Sequence, residues 1–366
     1  YEISLRATLF LCYYLPMTSK KEPASFSALY RKYRPHEWGE VVGQEPVVSA
    51  LTGALSLGRV AHAYLFAGAR GTGKTSVARI LARALKTADI DIHEIDAASS
   101  RTIDDARELR EAVLSLPFDS RYKVYILDEV HMLTKEAFNA LLKTLEEPPA
   151  HVVFILATTE LDKVPKTIVS RCELHPFQRP SQKTLADIIA RAAKKEGYAI
   201  TPASAELIAL LGDGSFRDAY GILQKAIAVS ADKKISEEEV RCVTGTPRGE
   251  LAHRVLAAIA ERDVEKGLAA IAEATEAHAD MKVFAKLIVQ KMRFALLLRV
   301  APEMEKEIAR ELSLSDMAFL KQIPVAGISS HTLLTFLEYY DLIGRAHLPH
   351  LPLELAVIKL CEAPKK

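Results

Sequence analysis

The segment Gly68-Ala69-Arg70-Gly71-Thr72-Gly73-Lys74-Thr75 constrains this chain more than any other, because it fits G-x-x-x-x-G-K-[S/T] at every fixed position. Its glycines let the backbone wrap tightly and turn successive N–H groups onto a phosphate. Lys74 brings charge to the outer phosphates and Thr75 a hydroxyl to Mg²⁺. Apolar Ala63–Ala67 precedes the segment as a strand, and from Ser76 to Lys86 the residues Val77, Ile80, Leu81, Ala84 and Leu85 recur at helical spacing. Strand, loop and helix in that order predict a nucleoside triphosphate site contacted by the residues from Gly68 to Ser76.

Between about residues 30 and 177, four strand-like runs alternate with amphipathic helical stretches: Ala63–Ala67, Ile92–Asp96, Val124–Leu127 and Val152–Ala157. That alternation predicts an α/β P-loop NTPase fold, a parallel sheet covered by helices. Pro176 and Pro180 bracket a break, after which no strand pattern of comparable strength follows. Residues 184–246 read as a compact helical unit with Leu185, Ile188 and Ile189 at its start and Ile222, Leu223 and Ile227 near its end. Leu251–Ala260, Val283–Val300 and Leu333–Ile343 then predict a wholly helical third unit. With 366 residues the chain exceeds what one core serves, so the expected divisions are 26–178, 179–246 and 247–366. Residues 1–25 read as a non-native or disordered extension.

A net charge of +1 excludes a generally basic nucleic-acid coat and leaves a local basic patch open. The four cysteines, Cys12, Cys172, Cys242 and Cys361, form no C-x-x-C pair, so they give neither a disulfide framework nor a zinc signature and point to a reduced, cytoplasmic setting. No apolar run reaches the roughly 20 residues of a membrane span. Ala7–Pro16 resembles the apolar stretch of a signal peptide. However, the chain opens with Tyr1, only Arg6 flanks the run, and polar residues follow Met17, which reads as the natural start.

Val124–Leu127 ends in Asp128-Glu129, an apolar strand leading into two acids. Asp128 can orient Mg²⁺ or its water shell, while Glu129 can polarise the water that attacks the γ-phosphate. Asp128-Glu129-Val130-His131 also spells the D-E-x-H box of a helicase family, but those motors need a second lobe and here helices follow. Thr134 caps a predicted helix whose Phe138, Leu141, Leu142 and Leu145 form one apolar face, which reads as core. Thr158 and Thr159 close the next strand, where a polar side chain can hold the attacking water or read the γ-phosphate. An ordinary strand threonine fits there equally well. Arg171, in Ser170-Arg171-Cys172, is placed where an exposed cation can reach a neighbouring subunit's phosphate, although a plain surface charge is the simpler alternative. Ser215 and Asp218 read as N-cap and third residue of a capping box. Arg217 then falls in a first helical turn, where the helix dipole disfavours a cation by roughly 0.3–1 kcal/mol. A cation kept there implies an anion nearby.

Taken together, the chain resembles the clamp-loader ATPases of the AAA+ superfamily. The resemblance covers residues 26–362 through Leu29-Tyr30-Arg31-Lys32-Tyr33-Arg34-Pro35, Val42-Gly43-Gln44-Glu45, His62-Ala63-Tyr64-Leu65-Phe66, Glu94-Ile95-Asp96-Ala97-Ala98-Ser99, Leu145-Glu146-Glu147-Pro148-Pro149, Ser170-Arg171-Cys172 and Gly214-Ser215-Phe216-Arg217-Asp218-Ala219. It implies an AAA+ sheet domain, a small helical lid and an all-α collar that assembles a ring. It also implies that Thr158 is sensor 1, Arg171 an arginine finger acting in trans and Arg217 sensor 2. Tyr30–Pro35, with Arg34, and Val41–Gln44, with Val42 and Gln44, are implied to wrap the adenine.

The implied cofactors are ATP and Mg²⁺. The implied partners are sister loader subunits in a hetero-oligomeric ring, a sliding clamp, primed-template DNA and single-strand-binding protein, with no membrane. Ser99, Arg101 and Thr102 are implied to grip DNA phosphates, although Thr102 and Asp105 can equally cap that helix. The function implied is ATP-driven loading of the clamp during replication by a subunit with no polymerase site of its own. A DNA translocase or branch-migration motor is the alternative, and a non-hydrolysing structural subunit is argued against by the intact Lys74, Asp128 and Glu129. The family's four-cysteine zinc module is replaced by Thr87-Ala88-Asp89-Ile90-Asp91, five residues expected to form an ordinary loop with no zinc. A longer family form continues past the Pro349–Leu355 region, so that form's contacts with polymerase and helicase are not expected.

Overall fold

The computed structural model describes residues 28–99, 103–308, 314–323 and 328–362. Five parallel strands, β1 (Ala63–Gly68), β2 (Ile92–Asp96), β3 (Lys123–Asp128), β4 (Val152–Thr158) and β5 (Glu173–Phe177), form one sheet in the order β2-β3-β4-β1-β5. Parallel neighbours need crossovers, and helices supply most of them. Around the sheet lie α1 (Leu29–Lys32), α2 (Glu45–Ser56), α3 (Lys74–Ala84), α4 (Ile103–Leu114), α5 (Lys135–Glu146) and α6 (Lys166–Val169). Successive strand residues point to opposite faces. Tyr64, Phe66, Ile126 and Ile155 pack on Val47 and Leu51 of α2 and on Val77 and Leu81 of α3. Leu65, Leu127, Phe154 and Leu156 pack on Phe138, Leu141 and Leu145 of α5. Burial on both faces is why β1, β3 and β4 read as unbroken apolar runs.

The fifth strand corrects the expected break at Pro176. β5 pairs on one side only, with Pro176 opposite Ala67 of β1, and an edge strand tolerates a residue without an N–H. Only His175 and Phe177 of this strand are buried, so no apolar run announces it. The segment 87–91 also departs from an ordinary loop. Asp89–Asp91 make a 3₁₀ turn, and the buried Asp91 carboxylate accepts from the Phe118 and Asp119 N–H groups at 2.6 and 2.9 Å.

Four helices follow the sheet: α7 (Gln182–Lys195), α8 (Pro202–Leu211), α9 (Phe216–Val229) and α10 (Glu237–Thr244), with a short parallel pair, β6 (Ala199–Ile200) and β7 (Lys234–Ile235). Ser181, Thr201, Ser215 and Ser236 cap them by accepting a backbone N–H two or three positions into the helix. Their core of Leu185, Ile189, Ile208, Leu223 and Val240 also takes in Leu29 of α1. The Leu29 N–H donates to Gln224 Oε1 at 2.9 Å, and Tyr33 stacks on Tyr220 with ring centroids 5.5 Å apart. The first helix, expected with the sheet, is thus packed on the four-helix unit α7–α10.

The last helices, α11 (Gly249–Glu261), α12 (Val264–Glu276), α13 (Met281–Val300), α14 (Glu305–Ile308), α15 (Leu314–Gln322), α16 (Ser330–Ile343) and α17 (Leu351–Glu362), surround Val255, Phe284, Ile288, Phe336 and Val357. Asp213, in the α8–α9 turn with φ +49°, joins three parts of the chain. It meets Arg179 at 3.2 Å and Lys286 of α13 at 2.7 Å, and Lys286 also donates to the Leu210 carbonyl at 2.8 Å. Among the described residues no helix is long and apolar enough to cross a membrane.

Candidate nucleotide site

The strand order reverses beside β1, which opens a crevice at the carboxyl ends of the strands. Parallel topology brings the P-loop after β1, Asp128 at the end of β3 and Thr158 at the end of β4 to that one edge. At Gly71, φ is +73° and a Cβ would lie 2.0 Å from Ser215 Oγ, so only glycine fits. The Gly71 carbonyl there accepts from the Phe216 N–H at 3.0 Å, so the lid helix α9 starts directly on the P-loop. Buried Lys74 turns its Nζ onto the Gly68 and Ala69 carbonyls at 2.7 and 2.9 Å. Burial pulls its pKa below the ordinary lysine value; Glu129 and Asp128 pull it up, and Arg217 adds to the depression.

Thr75 Oγ1 donates to Asp128 Oδ2 at 2.7 Å, which brings together the two residues expected at Mg²⁺. A hydroxyl and a carboxylate in contact fit an ion that takes most of its remaining ligands from phosphates and water. Among the described residues no group of three or more His, Cys, Asp or Glu side chains is placed to hold a metal ion. Glu129 sits in the left-handed region at φ +49°, and its N–H donates to Asp128 Oδ1 at 3.0 Å. Thr159 Oγ1 donates to Glu129 Oε2 at 3.0 Å, and His131 Nδ1 stands 3.5 Å from the same oxygen. Fully buried Thr158 reaches His131 Nδ1 at 3.1 Å and accepts from the Glu160 N–H at 3.0 Å. Of the paired threonines, therefore, Thr159 touches the candidate base and Thr158 acts on it through the imidazole.

A cleft of about 490 Å³ extends from this edge. Of the expected residues it brings together Tyr30, Arg34, Val42, Arg70, Gly71, Thr72, Gly73, Lys74, Thr75, Ser76, Asp128, Glu129 and Arg217. Sequence reasoning missed the lid residues Ile188, Phe216 and Tyr220, which close the cleft from the far side. It also missed Arg79, which is ion-paired with Glu94. The available signal was the phase of α9, which puts Tyr220 on the turn following Arg217. Arg217 holds its guanidinium 5.9 Å from the Tyr30 ring centroid. Burial lowers the pKa of half-buried Arg34, and the charge of Arg79 lowers it further.

Three expectations, at Gln44, at Gly68 and Ala69, and at the Ser215 cap, differ from what the structure places, while Arg171 and the Ser99 region are not contradicted by it. Gln44 is buried behind the P-loop, where its amide donates to the Gln178 carbonyl at 2.7 Å and its oxygen accepts the Gln178 N–H at 3.1 Å; it braces the loop instead of lining the cleft. Gly68 and Ala69 face Lys74 and do not line the cleft wall. The capping box at Ser215 and Asp218 is half formed. Ser215 Oγ accepts the Asp218 N–H at 3.2 Å, while the Ser215 N–H is taken by the Gly212 carbonyl at 2.8 Å. Arg171 lies outside the cleft, bonded to Glu146 at 2.7 Å and to the Thr167 carbonyl at 2.8 Å. Ser99 is exposed in the turn after β2, and Arg101 and Thr102 lie outside the described residues.

Residues 43–181 match the family model for the DNA polymerase III delta subunit. The chain is 35% identical over 374 residues to the DNA polymerase III subunit tau of Bacillus subtilis, covering 92% of this chain and 64% of that relative. It is 33% identical over 291 residues to the DNA polymerase III subunit gamma of Buchnera aphidicola subsp. Schizaphis graminum, covering 74% and 79% respectively. It therefore spans less than two thirds of the Bacillus relative. Among solved structures, the Thermotoga maritima RuvB Holliday junction branch migration motor superposes with a TM-score of 0.51 at 26% identity, over 63% of this chain and 80% of that one.

Proposed function

This chain belongs to the family of DNA polymerase III gamma and tau subunits, and on that premise we propose that it is an ATP-driven clamp-loader subunit, opening a sliding clamp and placing it on primed DNA. The observation that carries the proposal is the convergence, in one cleft, of Lys74, the Thr75–Asp128 pair, Glu129 and the lid's Arg217. In this reading residues 26–178 bind the nucleotide, 179–246 form the lid and 247–366 the collar.

Lys74 exchanges the Gly68 and Ala69 carbonyls for the outer phosphates, and Arg217 comes to the γ-phosphate from the lid side. Thr75 and Asp128 would hold Mg²⁺, which would supply charge neutralisation on those phosphates. Glu129 polarises the attacking water, with Thr159 and His131 fixing its carboxylate. Arg171 lies outside its own cleft, which suits a cation that completes a neighbour's site in trans and makes hydrolysis depend on ring assembly. In this reading the chain acts in the cytoplasm as an ATPase and not as a polymerase. Its partners are sister loader subunits, the clamp, primed DNA gripped near Ser99, Arg101 and Thr102, and single-strand-binding protein.

The surface that best suits the clamp is the loop after α4. Leu116 and Phe118 are 77% and 84% exposed there, and Leu114 and Ile90 lie exposed nearby. Asp91 locks this apolar patch in place through the Phe118 N–H.

Steady-state ATP hydrolysis by the chain with its sister subunits tests the proposal, adding clamp and primed DNA singly and then together. Strong stimulation by the combination alone is expected. Full stimulation by DNA with no effect of clamp would instead favour a branch-migration motor, the activity named for the RuvB structure.

A further inference from the structure

A second cavity, of about 970 Å³, opens from the nucleotide cleft and shares Tyr30, Arg34, Arg70, Arg79 and Arg217 with it. Beyond those shared walls it runs between the residue 30–36 segment and one face of α9, where Arg31, His36, Asp218 and Lys225 line it. Its position within the site follows from the shared residues. Tyr30 and Arg34 belong to the segment assigned to the base, whereas Arg70, Arg79 and Arg217 stand at the phosphate end. With ATP assigned to the cleft, a cavity bounded by both ends would open alongside the ribose.

Its walls are strongly cationic, and Arg31 and Lys225 stand outside the nucleotide cleft. Asp218 is the one carboxylate on its described walls, against five arginines and Lys225. Of these cations, Arg79 has a carboxylate partner in Glu94, and Arg31 turns its Nε to the Tyr30 hydroxyl at 3.2 Å. Burial lowers the pKa of Arg34, and the charges of Arg79 and Arg217 lower it further against the opposing pull of Glu94. Cations that share one cavity wall favour an anion between them, and planar guanidinium groups match phosphate geometry.

We propose that this cavity is a second phosphate subsite at the ribose edge, which admits adenine nucleotides carrying a further phosphate on the 2′ or 3′ oxygen. It rests on the assignment of ATP to the adjoining cleft. A nucleotide of this kind fills cleft and cavity together and competes with ATP, so the loader is held off by a nucleotide phosphorylated at both ends of its ribose.

The test is displacement of a fluorescent ATP analogue from the isolated full chain by 5′-AMP, adenosine 3′,5′-bisphosphate, adenosine 2′,5′-bisphosphate and inorganic pyrophosphate. At least one bisphosphate is expected to bind about ten-fold more tightly than 5′-AMP, the gain of one charge-assisted contact. Lys225→Gln should remove that advantage while leaving 5′-AMP affinity unchanged, since Lys225 lies outside the nucleotide cleft. Equal affinities for 5′-AMP and both bisphosphates would overturn the subsite, and so would an advantage that survives Lys225→Gln. Pyrophosphate binding as tightly as the bisphosphate would show that the cations recognise free polyphosphate and not a ribose substituent. Failure of the ATP analogue itself to bind would refute the cleft assignment, a result separate from all of these.

Discussion

The cleft and the collar each gather charged side chains into a partly buried cluster, and they complete these clusters in opposite ways. In the collar, Lys291 of α13 and His253 of α11 both meet the Asp316 carboxylate of α15, His253 at 2.7 Å, while Lys291 and His253 lie 3.0 Å apart. Phe319 stacks on the imidazole with centroids 4.0 Å apart. Burial pushes the Asp316 carboxyl up, but the hydrogen bond from His253 and the charge of Lys291 more than offset this and hold it well below the usual carboxylate range. That network closes on itself. In the cleft, Lys74 rests on two carbonyls, Arg79 alone among the described cations is paired with a carboxylate, and the walls continue into a cavity where five arginines and Lys225 meet one carboxylate, Asp218. A cluster that answers its own charges is built for stability, and one that leaves cations facing each other is built for an anion still to come.

This contrast yields predictions in which the two regions respond differently. Glu129→Gln should lower ATP turnover in the assembled ring by about 10³-fold, the scale of a lost general base, with ATP affinity and thermal unfolding unchanged. Asp316→Asn should do the reverse. It removes the anion that buried Lys291 faces and should cost about 3–5 kcal/mol in chemical denaturation, with nucleotide affinity unchanged. The contrast fails if this variant loses ATP binding without losing stability.

The sign of the pH dependence follows from the depressed Asp316 pKa. Its contribution is fully present above the ordinary carboxylate value of about 3.9 and is lost as pH falls below it toward the folded value. The stability gap between wild type and Asp316→Asn should therefore close in acid. A gap that stays constant from pH 7 to pH 3 would show that the cost is one of packing. Lys74→Ala should weaken ATP binding by about 100-fold while the Tm stays the same or rises, because burial already disfavours this ammonium. The smallest change belongs to Thr159→Val, which removes one hydrogen bond to Glu129. A change in unstimulated turnover of about five-fold is expected, the worth of one net hydrogen bond of about 1 kcal/mol.

The sequence disclosed most of the sheet because β1, β3 and β4 are buried on both faces and therefore carry uninterrupted apolar residues. β5 escaped because its identity depends on pairing with the edge of β1, which tolerates a proline that local rules treat as a break. The phosphate cradle and the two acids were legible because their chemistry fixes residue type and spacing. The far wall of the cleft was not. Ile188, Phe216 and Tyr220 reach it through the folding of the lid back over the P-loop, a long-range event with no local signature. Gln44 shows the complementary error: its neighbours Val41 and Val42 line the cleft, but its side chain turns away to satisfy the Gln178 backbone.

The junction at Asp213 has a mechanical consequence. It fastens the α8–α9 turn, three residues ahead of the helix that carries Arg217, to Lys286 near the start of α13. A helix of 20 residues is about 30 Å long. If α13 turns with that fastening, a swing of about 10° displaces its far end by about 5 Å, the height of one helical turn. The long helix is thus a lever arm: the same swing moves Lys286, about 7.5 Å along it, by about 1.3 Å, so a small shift at the fastening becomes at the far end one large enough to exchange one set of side-chain contacts for the next.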